Sequence, residues 1–350
     1  MDMRIVHVVF SFCVGGLETM LVDIMGVQSR AHDVHLIVVN DLVDSALCGT
    51  IPGGVKVHYL KRKPGSRNPW SIIRLNSLLL RLRPDVVHLH QGSLAKWIKC
   101  GPRPVLTLHD LHIPLDSHAL ACRLVAISDA VAQDVKNRYG SEVDIAVIPN
   151  GISTHLIEER SPEQLSNHVR VVQVGRFDFD KKGQDILIKA TAKLVREGYN
   201  ISLSLIGGAD YEKIPVLEKL AQREGIGERV SFVKGLSRNE LYSTLSGFDL
   251  MVHPSRYEGF GLVIAEGMAA GLPLAVPRGG GPFEVADNGR LAEVFEPNDS
   301  DSCAAAMRHI IENYTAAQER AEQAKQFVAE HYSLDRMVAQ YDRFYIASHS

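Results

Sequence analysis

Two glutamates eight positions apart, Glu258 and Glu266, frame a glycine-rich turn in the stretch His253–Gly281, HPSRYEGFGLVIAEGMAAGLPLAVPRGGG. The apolar run Leu250-Met251-Val252 leads into it and reads as a buried strand ending at Pro254. Glu258-Gly259-Phe260-Gly261 reads as a tight turn, and Leu262–Ala270 as a helix stopped by Gly271 and Pro273. A strand, a glycine turn and a helix start make a place to hold an anion, because free backbone N–H groups and the helix dipole point the same way. Glu266 falls on the second helical turn among Ala265, Gly267, Ala269 and Ala270, so the helix packs closely there. A carboxylate in such surroundings needs a hydrogen-bond partner, from the protein or from a ligand.

Three further groups of residues have the types that anion chemistry uses. The loop Gly175-Arg176-Phe177-Asp178-Phe179-Asp180-Lys181-Lys182-Gly183 follows an apolar run and precedes a helical one. Its arginine, as a fork, and a lysine, as a point charge, can converge on a pyrophosphate. Taken alone it reads rather as a charged surface loop. The turn Phe12–Glu18 carries Gly15-Gly16, which permits a phosphate to approach the backbone, although many such turns need glycine only for packing. His109-Asp110 ends the run VLTL, and a histidine at that end of a strand faces the ligand crevice of an open α/β sheet. An ordinary hydrogen-bonded loop histidine is the competing reading. Metal chemistry fits less well. Asp178-Phe179-Asp180 is formally a D-x-D, but Arg176, Lys181 and Lys182 compete with a cation for the same phosphates. His88, His90, His109 and His112 lack a cysteine or acidic ligand at zinc spacing, which leaves zinc a minor alternative.

The segment EGFGLVIAEGMAAGLPLAV resembles the E-x7-E signature of the retaining GT-B glycosyltransferases of family 4, the glycosyl transferases group 1. The resemblance covers almost the whole chain and implies two Rossmann-like, doubly wound α/β domains facing a cleft. It implies that Glu258 contacts a donor sugar, that the backbone at Phe260, Gly261 and Leu262 meets sugar and phosphate, and that Glu266 holds ribose hydroxyls. Gly15 and Gly16 match the family's G-G-x-E turn facing the donor. Arg176 and Lys182 match its G-R…K-G element, which neutralises the leaving diphosphate; Lys182 is chosen over Lys181 because it directly precedes Gly183. His109 matches a histidine that contacts the donor sugar near the reacting carbon. The catalytic set implied is therefore His109, Arg176, Lys182 and Glu258, with no metal. No cofactor is expected: the nucleotide-diphosphate sugar is a substrate, a UDP-sugar in preference to a GDP-sugar, with its base near Val233–Leu236. The expected reaction moves a hexose or N-acetylhexosamine to a hydroxyl acceptor with retention, in bacterial cell-surface polysaccharide synthesis. A GT-B nucleotide-sugar 2-epimerase is the alternative, and a non-catalytic nucleotide-sugar binder a third. Ser128 reads as a helix N-cap and IPNGI as the start of a hinge. The short segment between His109 and Leu124 departs from the family's longer one, so the acceptor is not legible.

The elements that must position these residues alternate along the chain. Strands are expected at Arg4–Phe10, Val34–Val39, Val55–Leu60, Val86–Leu89, Val105–Leu108, Leu124–Ile127 and Ile145–Ile148. A polar stretch from Ser153 to His168 reads as a link. A second series follows at Val169–Gly175, Ile201–Gly207, Val230–Gly235 and Leu250–Val252. Helices are expected at Trp70–Leu82, Asp129–Tyr139, Gln184–Arg196, Tyr211–Arg223, Asn239–Leu245, Ser302–Asn313, Ala316–Glu330 and Leu334–Ala347. Strand–helix alternation of this sort predicts mainly parallel sheets covered on both faces. The expected division is an acceptor-side domain over 1–160, a nucleotide-sugar domain over 161–333, and a terminal helix over 334–350 that packs back on the first.

Composition excludes several classes. A chain of 350 residues with 45% hydrophobic and 23% charged residues is ordinary for a globular enzyme of two domains. Five cysteines without a C-x-x-C pair argue against a disulfide framework and for a reducing compartment. No signal peptide or membrane-spanning run is legible, so a cytoplasmic protein is expected. Charge is uneven, however. Lys56–Arg103 holds eleven Lys or Arg against the single acid Asp85, a formal +10, and both tryptophans, Trp70 and Trp97. Arg67, Arg74 and Arg81 recur every seven residues and share a helix face. A solvated basic face is one reading. The other is attraction to an anionic membrane surface and a lipid-linked acceptor; no nucleic-acid module accompanies the patch.

Overall fold

A computed structural model describes residues 2–13, 15–161 and 164–347; Val14 of the first turn and Pro162 and Glu163 of the polar link lie outside the described residues. Seven strands form one sheet: β1 (Arg4–Val9), β2 (Asp33–Asn40), β3 (Lys56–Arg62), β4 (Val86–Leu89), β5 (Val105–Leu108), β6 (Arg123–Ala126) and β7 (Ile145–Val147). Six form another: β8 (Val169–Val174), β9 (Ile201–Gly207), β10 (Val230–Lys234), β11 (Leu250–Val252), β12 (Leu274–Pro277) and β13 (Glu293–Phe295). Both sheets are parallel, in the orders β3-β2-β1-β4-β5-β6-β7 and β10-β9-β8-β11-β12-β13. Helical crossovers cover parallel strands on both faces, which is why β1 and β2 are buried almost throughout and are mainly apolar, interrupted inside by His7 and His35.

The chain divides into two compact units. One takes it to Gly151 and resumes at Leu334; the other is Ile152–Ser333. The terminal Leu334–Ile346 helix belongs to the first unit's core, where Met337, Val338, Tyr341 and Tyr345 pack with Met3, Ile5, Met20 and Ile24. Each such side chain contributes roughly 1.5–3 kcal/mol on burial. Its two phenols find partners inside that core, Tyr341 with Thr107 Oγ1 at 3.0 Å and Tyr345 with His88 Nδ1 at 2.7 Å. Ser128 caps the Asp129–Tyr139 helix as expected, its hydroxyl accepting from the Val131 N–H at 3.1 Å.

Several elements were not anticipated. β12 is four residues, Leu274–Pro277, directly after Pro273, β13 is a three-residue edge strand, and the Gly280–Val285 helix begins in a glycine run. Tyr211–Arg223 divides into a 3₁₀ turn, Tyr211–Lys213, and a helix from Ile214, with Pro215 in its first turn. The basic segment also needs correction. Trp97 is half-buried, edge-on to Phe10 at 5.6 Å with the Arg62 guanidinium 5.1 Å above its ring, so it does not share an exposed face with Trp70. Lys56, Lys61 and Arg62 lie on β3, an edge strand, where charge also discourages pairing with another sheet. The outer side of the Trp70–Leu82 helix presents Trp70 (64% exposed), Ile73 (49%) and Leu80 (64%) beside the exposed Arg74 and Arg81.

Two glycines decide how the second unit closes around its loops. Gly183 has φ +67°, and a Cβ there would stand 2.0 Å from the Pro254 carbonyl oxygen. On Gly281 a Cβ would meet the Phe260 backbone at 2.5 Å. Gly183→Ala should therefore carry the left-handed backbone penalty of about 1–2 kcal/mol plus an overpacking cost of roughly 1–3 kcal/mol. Gly198→Ala is the control, since Gly198 has φ +100° with nothing within 4 Å of a Cβ. Thermal melts should show Gly183→Ala as clearly the less stable; equal melting temperatures would mean the Pro254 segment yields freely.

Candidate active site

In each sheet the strand order reverses at one neighbour pair, β1/β4 and β8/β11. Crossovers leave such a pair in opposite directions, so a crevice opens at the strands' carboxyl ends. In the second unit that place holds the loops after β8 and β11. Lys182 runs its stem over Gly175 and forms an ion pair with Glu258 through Nζ and Oε2. The same carboxylate oxygen lies 3.4 Å from His253 Nε2 and 3.3 Å from Ser255 Oγ, and those two are 2.8 Å apart. Burial alone would push the Glu258 carboxyl up, but His253 and the charge of Lys182 outweigh it and hold the group well below the usual carboxylate range. His253 is pulled down by burial, with Glu258 opposing. At neutral pH the cluster is thus an ammonium, a carboxylate and a neutral imidazole. It can accept hydrogen bonds from hydroxyls and present positive charge to an anion; Glu258 has no proton to give.

Neighbouring contacts hold this cluster in place. Arg256 donates to the Phe179 carbonyl at 2.6 Å and to both Asp185 oxygens at 2.9 and 2.8 Å, and its N–H reaches the Lys181 carbonyl at 2.9 Å. The turn bearing Lys182 is thereby tied to the loop bearing Glu258. Lys181 points elsewhere, with its Nζ 5.0 Å from the Tyr257 ring centre. Arg176 forks onto Asp210 at 2.8 and 3.1 Å with its side chain 65% exposed, so a separate carboxylate holds it. Lys213 pairs with both Asp178 and Asp180, which places an ammonium where a D-x-D would set a metal.

Glu266 receives the hydroxyl of the buried Tyr242 at 2.9 Å, and Arg238 Nε donates to that phenol oxygen at 2.8 Å. Phe260 buries its ring edge-on to Tyr332 at 5.4 Å, which leaves its backbone, not its side chain, for a ligand. Gly261, at φ +96°, caps the Leu262–Ala269 helix. In that conformation a side chain would be strained.

In the first unit, Gly15 is the N-cap of the Gly16–Gln28 helix, and a Cβ there would lie 2.7 Å from Glu18 Oε2. The Glu18 carboxylate therefore folds over the helix start, and burial raises its pKa. His109, at the end of β5, is half-buried and meets His90 Nδ1 through Nε2 at 3.1 Å. Burial draws its pKa down to about 4, so the ring is neutral at pH 7. Behind it, His7, His88 and His90 have ring nitrogens within 4.8 Å of one another. This trio is not the set considered from sequence: His7 joins, and His112 pairs with Asp134 at 3.0 Å. As a metal site it fits poorly, because His88 spends its two nitrogens on Thr107 (2.7 Å) and Tyr345 (2.7 Å), and His7 spends its own on His90 (3.1 Å) and Gln28 (2.8 Å).

Residues beyond the expected set thus enter the site: His253, Ser255, Tyr242, Asp210 and His7. His253 was legible as the residue closing β11. Tyr242 and Asp210 come from other helices and loops, and only folding brings them to Glu266 and Arg176.

Comparison with known proteins adds a second line. Residues 157–327 match the family model "Glycosyl transferases group 1", and residues 14–156 match "Glycosyltransferase Family 4". The glycogen synthase of Mycobacterium tuberculosis is 27% identical over 295 residues, covering 76% of this chain and 69% of the relative. The D-inositol 3-phosphate glycosyltransferase of Mycolicibacterium smegmatis is 34% identical over 179 residues, 49% of this chain and 40% of the relative. Among solved structures, the Anabaena HepE protein in complex with UDP and glucose superposes with a TM-score of 0.82 at 22% identity, covering 99% of this chain and 100% of that one.

The Lys182–Glu258 pair has a pH signature. Glu258's folded pKa lies below its unfolded value, so the stability it contributes is full above about pH 4.5 and is lost as pH falls through the folded pKa. Lys182→Met leaves the carboxylate buried with less compensation, a loss of about 3 kcal/mol. The melting-temperature gap between wild type and variant should be widest near pH 7 and shrink below pH ~4.5. A gap that stays constant with pH would show that only packing was lost.

Proposed function

We propose, since this chain belongs to the group 1, family 4 glycosyltransferases and has their GT-B fold, that it transfers a hexose or N-acetylhexosamine from a nucleotide-diphosphate sugar to a hydroxyl acceptor with retention at the anomeric carbon. The observation that carries this reading is the ionised Lys182–Glu258 cluster at the β8/β11 reversal, an ammonium beside an obligate hydrogen-bond acceptor. The bond from the anomeric carbon to the diphosphate oxygen breaks with its electron pair going to the phosphate. The acceptor oxygen bonds to the same face of that carbon and its proton passes to the departing phosphate. Charge therefore grows on the diphosphate, where Lys182, Arg176 and the amides at Phe260, Gly261 and Leu262 stabilise it. Glu258 accepts from sugar hydroxyls, Glu266 from the ribose with Tyr242 holding its other side, and His109 meets the sugar. Gly15 and Gly16 keep the backbone open to the donor, and a base near Val233–Leu236 completes it. A UDP-sugar is the proposed donor, with no cofactor and no metal. The 2-epimerase alternative needs a group beside the sugar that gives a proton as well as one that takes it, and Glu258, held in its charged form, can only take one.

Incubation with UDP-, GDP- and ADP-sugars, without acceptor and with excess EDTA, tests this. Slow release of free nucleotide diphosphate from one sugar, unaffected by EDTA, is the expected result. Formation of a new nucleotide sugar would favour the epimerase; activity lost to EDTA and restored by manganese would overturn metal independence.

The acceptor proposed is a lipid-linked glycan of a cell-surface polysaccharide, met by a cytoplasmic protein peripheral to the membrane. No helix of the described residues is long and apolar enough to cross a membrane. Support comes from the Trp70, Ile73 and Leu80 stripe with Arg74 and Arg81 on the same helix. Arg67 precedes the helix, which starts at Trp70, and so does not share its face as expected; Lys61 and Lys63 are nearby in sequence. Each basic residue near an anionic surface contributes roughly 1 kcal/mol, and exposed apolar side chains add to it. Liposome flotation should require anionic lipid, weaken with salt, and fall when Lys61, Lys63, Arg67, Arg74 and Arg81 are neutralised or Trp70 becomes Ala. Indifference of the wild type to anionic liposomes would remove the membrane from this reading.

A further inference from the structure

The first unit's core contains a line of imidazoles that ends at His109. Its links are short and successive: His109 Nε2 to His90 Nδ1 at 3.1 Å, His90 Nε2 to His7 Nδ1 at 3.1 Å, and His7 Nε2 to Gln28 Oε1 at 2.8 Å. His7, His90 and Gln28 are buried to within a few per cent. Sheet register puts them in line, since β1 pairs with β4 as His7 opposite His88, and His90 follows two residues on from His88. A neutral imidazole has one N–H and one lone pair, so a chain of them has a direction, and one end fixes every member.

We infer that Gln28, through His7 and His90, locks His109 as its Nε2–H tautomer, so that His109 offers Nδ1 to its ligand purely as an acceptor and selects for a hydroxyl there. The direction follows link by link. Gln28 Oε1 can only accept, so His7 Nε2 carries the proton and His7 Nδ1 the lone pair. That lone pair takes the proton of His90 Nε2, and His90 Nδ1 takes the proton of His109 Nε2. His109 Nδ1 makes no hydrogen bond among the described residues and is left with its lone pair. The opposite direction would need the Gln28 amide turned over, putting its carbonyl oxygen where Nε2 now is. The carboxamide stands instead with Oε1, not Nε2, 2.8 Å from His7 Nε2. All three rings are neutral: burial brings His7 and His109 down to about 4 and His90 well below its ordinary value. His7, His90 and Gln28 are positioning residues here. The ligand part rests on the proposed contact between His109 and a donor sugar; the tautomer part does not.

The test is ¹⁵N NMR of the full-length protein labelled at histidine, assigned with His7→Asn, His90→Asn and His109→Asn. Between pH 6 and pH 8, His7, His90 and His109 should each show a protonated Nε2 and a lone-pair Nδ1, unchanged with pH. An Nδ1–H signal for His109, or titration in that range, would overturn the inference. In Gln28→Leu the fixed end is gone, so the His7 and His109 signals should move toward the average of both tautomers. Gln28→Met serves if that variant does not fold, and tautomers unaltered in either would equally overturn it. With UDP-glucose as probe, the expected change is at His109 Nδ1 alone, and a ligand-induced Nδ1–H would contradict the acceptor role. Failure of the transferase reading would show instead as no nucleotide-sugar turnover, with the tautomers as described.

Discussion

Reversal of strand order in a parallel sheet is the constraint on which the rest of this molecule depends. Parallel neighbours require crossovers of one hand, so a sheet that grows outward from its middle must send successive crossovers to opposite faces. At β1/β4 and at β8/β11 the two connections diverge, and the backbone between them is uncovered. The residues proposed to act on the donor's sugar, ribose and diphosphate follow strands at or beside these places. Gly15 and Gly16 follow β1, His109 follows β5, Arg176 and Lys182 follow β8, and Glu258 and Glu266 follow β11.

Placing polar groups at strand ends brings them against the cores, and the chain compensates them in two different ways. In the second unit it keeps the charge: Glu258 stays ionised because Lys182, His253 and Ser255 share its oxygen. In the first unit it removes the charge: four buried or half-buried histidines are neutral and satisfy one another, Gln28, Thr107 and Tyr345. Both arrangements follow from the expense of an uncompensated buried charge. They suit the two roles proposed above, an ionised cluster for a charged diphosphate with its sugar and a neutral imidazole for a sugar hydroxyl.

Charge on the outside of the first unit is likewise divided by structure. Lys56 pairs with Asp33 at 2.7 Å, and Arg62 is held by Asn40 and stacked on Trp97, so these cations are part of the β3 edge. The Trp70–Leu82 helix is different in kind. Its inward residues Leu75, Leu78 and Leu79 are buried, yet it keeps Trp70, Ile73 and Leu80 outside beside arginines. A helix that is apolar on both sides and basic between them is unusual for a face meeting water alone.

Much of this was legible in the order of residues. Apolar runs of four to eight residues alternating with amphipathic ones dictate parallel sheets, because periodicity depends on local sequence alone. The E-x7-E turn, the G-R…K-G loop and the G-G turn placed Glu258, Glu266, Arg176, Lys182, Gly15 and Gly16 at strand ends for the same reason. β12 and β13 were hidden by their brevity, since three or four residues between prolines and glycines carry no period. Partnership was not legible at all. That Lys182 meets Glu258, that Arg176 goes to Asp210, that Tyr242 serves Glu266 and that Trp97 folds inward each depends on residues separated by tens of positions. The line from His109 to Gln28 shows the limit most plainly. Its members come from β5, β4, β1 and a helix, and only sheet register and helix packing put their nitrogens about 3 Å apart, within hydrogen-bond reach.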